Sequence, residues 1–340
     1  MTNIEYKNIP FQCAVFSGKI GVNFYSRVKL SDLFSKFSCH KFFPEFCLSD
    51  IERENIFSVY FIPSMKTQIK WYQNKVVVSF PIQEIYNGES ILYLGYPFIE
   101  YQRQKNFGVT VHAAACNVKG KGVLILGKEG SGKTSTLIHL CQNHDASLIA
   151  NDLTLLELRN KTVYLIGGTK FFYLRYISTL KSLPHLISHF SKKKKTSDKW
   201  KNKIFLEPKD IGIEIEKNRI GLDKAFLVHV DETQEELLVN RKLDLSDKLY
   251  LNENFSRYIR NTTTTFLSGN NYDYRGFIPS FDNELFYLNR LKILDTILNK
   301  GELCYVSGKS LMISNYIKMN MFCNSNNNWR SSNVSFISNE

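Results

Sequence analysis

Apolar positions along this chain fall into two kinds of run. Short runs of β-branched and aromatic residues closed by turn residues, such as Phe57–Ile62 and Val76–Phe80 before Pro81, predict strands. Residues 1 to about 105 consist largely of such runs and read as a β-rich region. Ile91–Gln104 and Glu284–Asn299 carry apolar residues at helical spacing and predict helices. Thr110–Val118 predicts a strand, Lys119-Gly120-Lys121-Gly122 a turn, and Gly122–Leu126 a second strand, so a hairpin feeds whatever follows Leu126. A helix over Thr134–Cys141 comes next, then a short strand over Ser147–Ala150. A second hairpin pairs Leu153–Leu158 with Thr162–Ile166 and turns at Arg159-Asn160-Lys161. Helical or irregular sequence runs to Phe190. Strands are expected again at Ala225–Val230 and Glu302–Val306. The expected organisation is a β-rich region at 1–105, an α/β region at 106–323, and a frayed Asn- and Ser-rich tail at 324–340. No internal repeat is visible.

Between the first hairpin and its helix lies Gly127-Lys128-Glu129-Gly130-Ser131-Gly132-Lys133-Thr134-Ser135. It holds a glycine, four residues and then Gly-Lys-Thr, flanked by an apolar strand and a helix. In that context the pattern has a mechanism: backbone N–H groups and a helix N-terminus surround an anion. Gly127, Glu129, Gly130, Ser131, Gly132, Lys133, Thr134 and Ser135 are the expected nucleotide contacts. Lys133 would reach the β- and γ-phosphates, and the Thr134 hydroxyl would hold Mg²⁺. A nucleoside triphosphate, ATP or GTP, is the expected ligand.

Composition narrows the setting. With 340 residues, 43% of them hydrophobic, the chain can build a packed core. Seven scattered cysteines form no CxxC pair, which fits reduced thiols in a cytoplasm. Cys39, His40 and Cys47 lie close in sequence but lack a fourth zinc ligand at suitable spacing. No run approaches the ~18 apolar residues of a membrane span, and the first residues lack signal-peptide character. Net charge is +12, and seven lysines lie between Lys192 and Lys203 against one acid, Asp198. Such a cluster suits nucleotide phosphates or an acidic peptide, or is a solvated loop. Neither an aromatic-interleaved RNA-binding signature nor a helix-turn-helix is present, which argues against nucleic acid as partner.

Two acids compete to complete a metal site. Asp152 follows a strand just beyond the loop helix. Asp231 with Glu232 closes the apolar strand Ala225–Val230, as a Walker B pair would in a hydrolysing ATPase or switch. His112, in the run Val111-His112-Ala113-Ala114-Ala115, would point toward the phosphates or be a satisfied core histidine.

The series His112-Ala-Ala-Ala, Gly122–Gly127, Gly130-Ser-Gly-Lys-Thr134 and Leu148-Ile-Ala-Asn-Asp152 resembles the catalytic core of HPr kinase/phosphorylase, over about Val111 to Leu156. That family shares a fold with phosphoenolpyruvate carboxykinase. The resemblance implies an α/β nucleotide-binding core of mixed sheet and flanking helices behind a β-rich N-terminal region. It implies Mg-ATP chemistry, with Asp152 as a metal carboxylate and His112 positioning the transferred phosphate. The acceptor would be a hydroxyl of a small carrier protein, a small compound or a precursor peptide of a modified natural product; a peptide or protein acceptor is the expectation. Homo-oligomers are common in the family. One departure matters: where the family has a first aspartate, this chain has Asn151, whose amide is not basic. Asp152 would then serve as ligand and base, or Glu157, Glu214 or Glu216 would substitute, or the chain would bind nucleotide without transferring it. Lys170 and Arg175 are further cationic candidates. The same region could also act as an ATPase through Asp231 and Glu232.

Overall fold

The computed structural model describes residues 8–36, 38–54, 56–64, 68–80, 88–190, 202–240, 242–260, 279–301 and 303–322. The lysine cluster between 192 and 201 and the tail from 324 lie outside them. Two compact units form: residues 1–110 with 255–290, and residues 111–254 with 291–340. Sequence analysis assigns 255–290 to the α/β region, whereas the structure joins it to the front.

The first unit is built on β1 (Phe11–Ser17), β2 (Ile20–Ser26), α1 (Leu30–Lys36), β3 (Phe46–Ser49), β4 (Phe57–Pro63), β5 (Gln68–Trp71), β6 (Lys75–Phe80) and α2 (Gly88–Lys105). Its sheet has the order β3-β1-β2-β4-β6-β5, parallel at β2–β4 and β4–β6 and antiparallel elsewhere. Val22, Phe24, Val59, Phe61, Val76 and Val78 alternate onto one face and meet Phe34, Tyr96 and Phe98 from the two helices. Tyr258, Phe281 and Phe286 join this unit because their rings complete its core. Tyr258 meets Tyr96 edge-on at 5.4 Å, and Phe281 lies 5.2 Å from Phe98. Arg290, also buried, is held by Asp282 at 2.8 Å and Gln104 at 2.7 Å.

The second unit carries β7 (Gly108–His112), β8 (Ala114–Val118), β9 (Lys121–Leu126), α3 (Lys133–Asn143), β10 (Ala146–Ala150), β11 (Leu153–Arg159), β12 (Thr162–Gly168), β13 (Phe172–Arg175) and α4 (Tyr176–Ser182). There follow β14 (Lys203–Leu206), β15 (Ile220–Val230), β16 (Leu238–Asn240), α5 (Leu245–Ser256), α6 (Glu284–Gly301), β17 (Cys304–Gly308) and α7 (Ser310–Phe322). The unit boundaries fall inside β7, α5 and α6. Both predicted hairpins are present, β8–β9 and β11–β12. The single strand expected over Thr110–Val118 is instead two, broken at Ala113. That break is topological: the main sheet runs β10-β8-β9-β15-β12-β11-β7, so β7 and β8, one residue apart in sequence, pair with different strands. Long β15 joins the halves. Its first residues pair antiparallel with β12, and its later ones pair parallel with β9 and β17. The fold is mixed α/β.

Helices α3 and α7 pack their apolar faces into one core, through Leu137, Ile138 and Leu140 on α3 and Ile313, Ile317 and Met321 on α7. Each such side chain, when fully buried, stabilises by roughly 1.5–3 kcal/mol. Two histidines sit among them: His139 bonds Ser182 O at 3.0 Å, and His144 bonds Asn315 Oδ1 at 2.9 Å. Burial holds both below the ordinary imidazole value of 6.5. The folded chain therefore keeps them neutral while the unfolded chain protonates first, so their contribution is present above 6.5 and lost as pH falls below it. The urea midpoint is expected to drop between about pH 7.5 and 5.5, and to drop less in His144→Asn. Equal drops in parent and variant would contradict this.

Candidate active site

Strand β9 delivers the glycine-rich loop to α3. Gly127 has φ +154°, and a Cβ there would run into Ser131 Oγ and the Val228 carbonyl. Gly132 has φ +86°, and a Cβ there would overlap the Val230 side chain. Both positions therefore require glycine, because the loop lies hard against β15, where the Val230 N–H donates to Ser131 O at 2.8 Å. Lys133 Nζ donates to Gly127 O at 2.7 Å and Lys128 O at 3.1 Å, so the ammonium lies inside the curl of the loop. Ser131 Oγ is buried with no hydrogen-bond partner among the described residues. Gly130, Lys128 and Glu129 form the open rim, and Thr134 and Ser135 begin the helix half-buried.

The acid candidates come from a turn between β10 and β11. Leu153 N donates to Asn151 O at 3.0 Å, and Asp152 has φ +73°. A bond closed across one residue of positive φ is the geometry of a γ-turn, a strained form found where structure around it over-determines the backbone. It turns the two side chains different ways. Asn151 is buried: its Oδ1 accepts from Thr134 Oγ1 at 3.0 Å and its Nδ2 donates to Phe171 O at 2.8 Å. Its backbone N–H bonds Thr169 O at 2.7 Å, and its carbonyl accepts from the Thr169 hydroxyl. Asp152 faces outward, 64% exposed, and its Oδ1 meets His112 Nε2 at 2.9 Å.

His112 ends β7, and its main chain is gripped by a residue that the sequence gives no reason to single out. Asn254 on α5 accepts from the His112 N–H at 2.9 Å and donates to the His112 carbonyl at 3.2 Å, as a neighbouring strand would. Tyr250, one turn earlier, donates to Gly127 O at 2.6 Å and accepts from Gly127 N at 3.2 Å. Asn254 Nδ2 also reaches Tyr250 Oη at 3.3 Å. One helix face thus ties the histidine strand to the loop. The only trace in sequence is an Asn–Tyr pair four apart, which does not reveal contacts 142 residues away.

The remaining candidates lie elsewhere. Glu157 pairs with Arg159 at 2.6 Å. Glu216 is committed to Asn117 at 2.7 Å and Ser147 at 3.2 Å, and the Asn117 amide holds its carboxyl below the usual range. Glu214 contributes its carbonyl to Leu148 N. Asp231 accepts from the N–H and hydroxyl of Thr233, and Glu232 accepts from the N–H and hydroxyl of Ser310 at the start of α7. Asp231 thus closes a local turn and Glu232 caps α7. Lys170 donates to the Ile149 carbonyl, and Arg175 reaches Glu129 on the loop rim at 3.5 Å. A groove of about 820 Å³, lined by His139, Gln142, Asp145, His185 and Glu214, opens at the far end of α3 from Lys133.

Comparison with known proteins adds little to this geometry. No family model matches the chain, and no curated protein matches it. Among solved structures, it is similar to the "Hpr(Ser) kinase/phosphatase from Coxiella burnetii", at 18% identity and a TM-score of 0.22 over 36% of this chain. The match spans 65% of that protein's length. Among the described residues no helix is long and apolar enough to cross a membrane.

Two substitutions test the local account. Asn151→Asp would set a carboxylate oxygen against the Phe171 carbonyl, replacing a buried bond by repulsion. A loss of about 2–3 kcal/mol is expected in urea unfolding, and an unchanged midpoint would contradict the hydrogen-bonded role of Asn151. Asn254→Ala should cost about 1–2 kcal/mol by the same measurement, since it strips partners from the His112 backbone.

Proposed function

We propose that the chain is a Mg-ATP-dependent kinase of the HPr-kinase/phosphoenolpyruvate-carboxykinase type. It transfers the γ-phosphate to a serine-type hydroxyl of a peptide or small protein, such as a precursor peptide in natural-product biosynthesis, and works in the cytoplasm. The observation that carries this reading is the paired placement of Asn151 and Asp152: one side chain grips the Thr134 hydroxyl while the next meets His112 at 2.9 Å.

The residues fit the group they would hold. The Thr134 hydroxyl donates its hydrogen bond to Asn151 Oδ1, which leaves the Thr134 oxygen lone pairs to face a cation. Asp152 supplies a single exposed carboxylate, and no cluster of three acidic, histidine or cysteine ligands is found among the described residues. That donor set suits Mg²⁺, which takes one or two carboxylates with substrate phosphates and water rather than an all-protein cage. When bound, Mg²⁺ would neutralise charge on the β- and γ-phosphates.

Lys133 would leave its loop carbonyls for the phosphate oxygens, a small displacement from a position already inside the loop. Transfer is a substitution at phosphorus. The acceptor oxygen forms a bond to the γ-phosphorus as the bridging β,γ-oxygen leaves on ADP, and the hydroxyl proton passes to the Asp152 carboxylate. His112, on the other side of that carboxylate, would receive or share the proton. A loose transition state asks little of the base, so an exposed aspartate suffices where an asparagine cannot act. Asn151 is then the strut that orients Thr134.

The test is ³²P transfer from γ-labelled ATP to a serine-peptide pool, small hydroxyl metabolites and cell extract. Label in a discrete acceptor is expected, with at least a ~100-fold loss in Lys133→Ala and in Asp152→Asn. Asparagine tolerates the positive φ at 152, so Asp152→Asn should stay folded. Free phosphate without labelled acceptor would favour an ATPase, and bound ATP with neither product would favour a nucleotide-binding scaffold. Either result would overturn the kinase reading.

A further inference from the structure

Strand β13 is tied to the candidate site at both ends. Just before it, Phe171 O accepts from the Asn151 amide at 2.8 Å. At its other end Arg175 reaches Glu129 on the loop rim at 3.5 Å. The strand therefore crosses from the acid turn to the phosphate loop. Its one partner among the described residues is β14, in the register Tyr173↔Phe205 and Arg175↔Lys203.

Alternation splits this two-stranded ribbon into two unlike faces. Phe172, Leu174, Ile204 and Leu206 are buried in the core against α3. The opposite face carries Tyr173, Arg175, Lys203 and Phe205. Tyr173 and Phe205 stack with ring centroids 4.4 Å apart, yet Tyr173 remains 44% exposed. Lys203 Nζ stands 4.9 Å from the Tyr173 ring centre. A half-exposed aromatic pair flanked by two cations makes up this face. It has the composition of a binding hot spot: rigid aromatic area with Arg beside it.

We infer that this outward face of the β13–β14 ribbon is the docking surface for the acceptor, and that the acceptor is an extended peptide bearing acidic and aromatic side chains near its hydroxyl. The inference rests on the kinase reading for the site but concerns what that site takes. Charge complementarity selects the occupant. Two cations face outward, and the Arg175–Glu129 pair is exposed and therefore weak, so Arg175 can exchange Glu129 for a carboxylate of the partner. Glu207, just after β14, is already paired with Lys209. Position selects the acceptor over the nucleotide base. The ribbon begins at the acid turn, where the γ-phosphate would be attacked, whereas the base lies at the other end of a bound triphosphate. An aromatic side chain of the peptide would lie on Tyr173 and Phe205, and the backbone could add along the ribbon edge as a third strand.

The probes are two fluorescein-labelled serine peptides of one length, both carrying a tyrosine. One has aspartate and glutamate flanking the serine, and the other has lysine at those positions. Anisotropy reads binding to the full chain whether or not phosphate moves. The acidic peptide is expected to bind at least about tenfold more tightly. Lys203→Glu should erase or invert that preference, and Tyr173→Ala should weaken the acidic peptide by about tenfold. Equal binding of the two peptides, or preference unchanged in Lys203→Glu, would overturn the proposal. A Tyr173→Ala effect on ATP affinity in place of peptide affinity would also overturn it and mark the face as a nucleobase platform. Selective peptide binding without ³²P transfer would leave the surface standing and refute the kinase chemistry; transfer without peptide selectivity would do the reverse.

Discussion

A strand that leaves one partner for another must satisfy its backbone groups at the crossing with something other than a ladder. In this chain two crossings answer each other. Ala113, between β7 and β8, gives its N–H to Asp152 O at 3.0 Å, and its own carbonyl accepts from the Thr154 hydroxyl at 2.8 Å. Asn151 and Asp152, between β10 and β11, cross at the same place. An unpaired buried amide or carbonyl would cost about 1–3 kcal/mol, so the two breaks are locked to each other. That lock sets His112 one residue before the first crossing and Asp152 within the second. Their 2.9 Å contact follows from the main chain before either side chain contributes.

The same constraint explains the division of labour between neighbours in sequence. The strained turn at Asp152 drives Asn151 inward and Asp152 outward. A buried carboxylate at 151 would face a carbonyl, so an amide, with one donor and one acceptor, is the side chain that suits both Phe171 and Thr134. Asn151 is thus a hydrogen-bonded part of the turn, and the carboxylate the turn presents outward is that of Asp152.

The glycine-rich loop between β9 and α3 was legible in the sequence as a loop of fixed geometry, because its glycines and its flanking strand and helix are local requirements. Both hairpins were legible for the same reason. The break at Ala113 was not, since an apolar run of alanines reads the same whether it stays with one sheet or passes to another. The tie of Tyr258, Phe281, Phe286 and Arg290 to the front was not legible, because it consists of five aromatic contacts and a buried arginine, none of which leaves a periodic signal. Tyr250 and Asn254 escaped notice for a related reason: they act on backbone groups, and any helix can carry a tyrosine and an asparagine. Asp231 closes a turn with Thr233 and Glu232 caps α7 at Ser310, pairings that pattern alone does not reveal.

The proposed kinase requires the Asn151–Asp152 turn and the Gly127–Thr134 loop to act as one Mg-nucleotide site. Calorimetric titration of the chain with ATP, in the presence and absence of Mg²⁺, tests it most directly when repeated with Asp152→Ala. The account predicts that Mg²⁺ tightens ATP binding in the parent by about tenfold or more, and that Asp152→Ala binds ATP with little response to Mg²⁺. A variant that responds to Mg²⁺ as the parent does would contradict it.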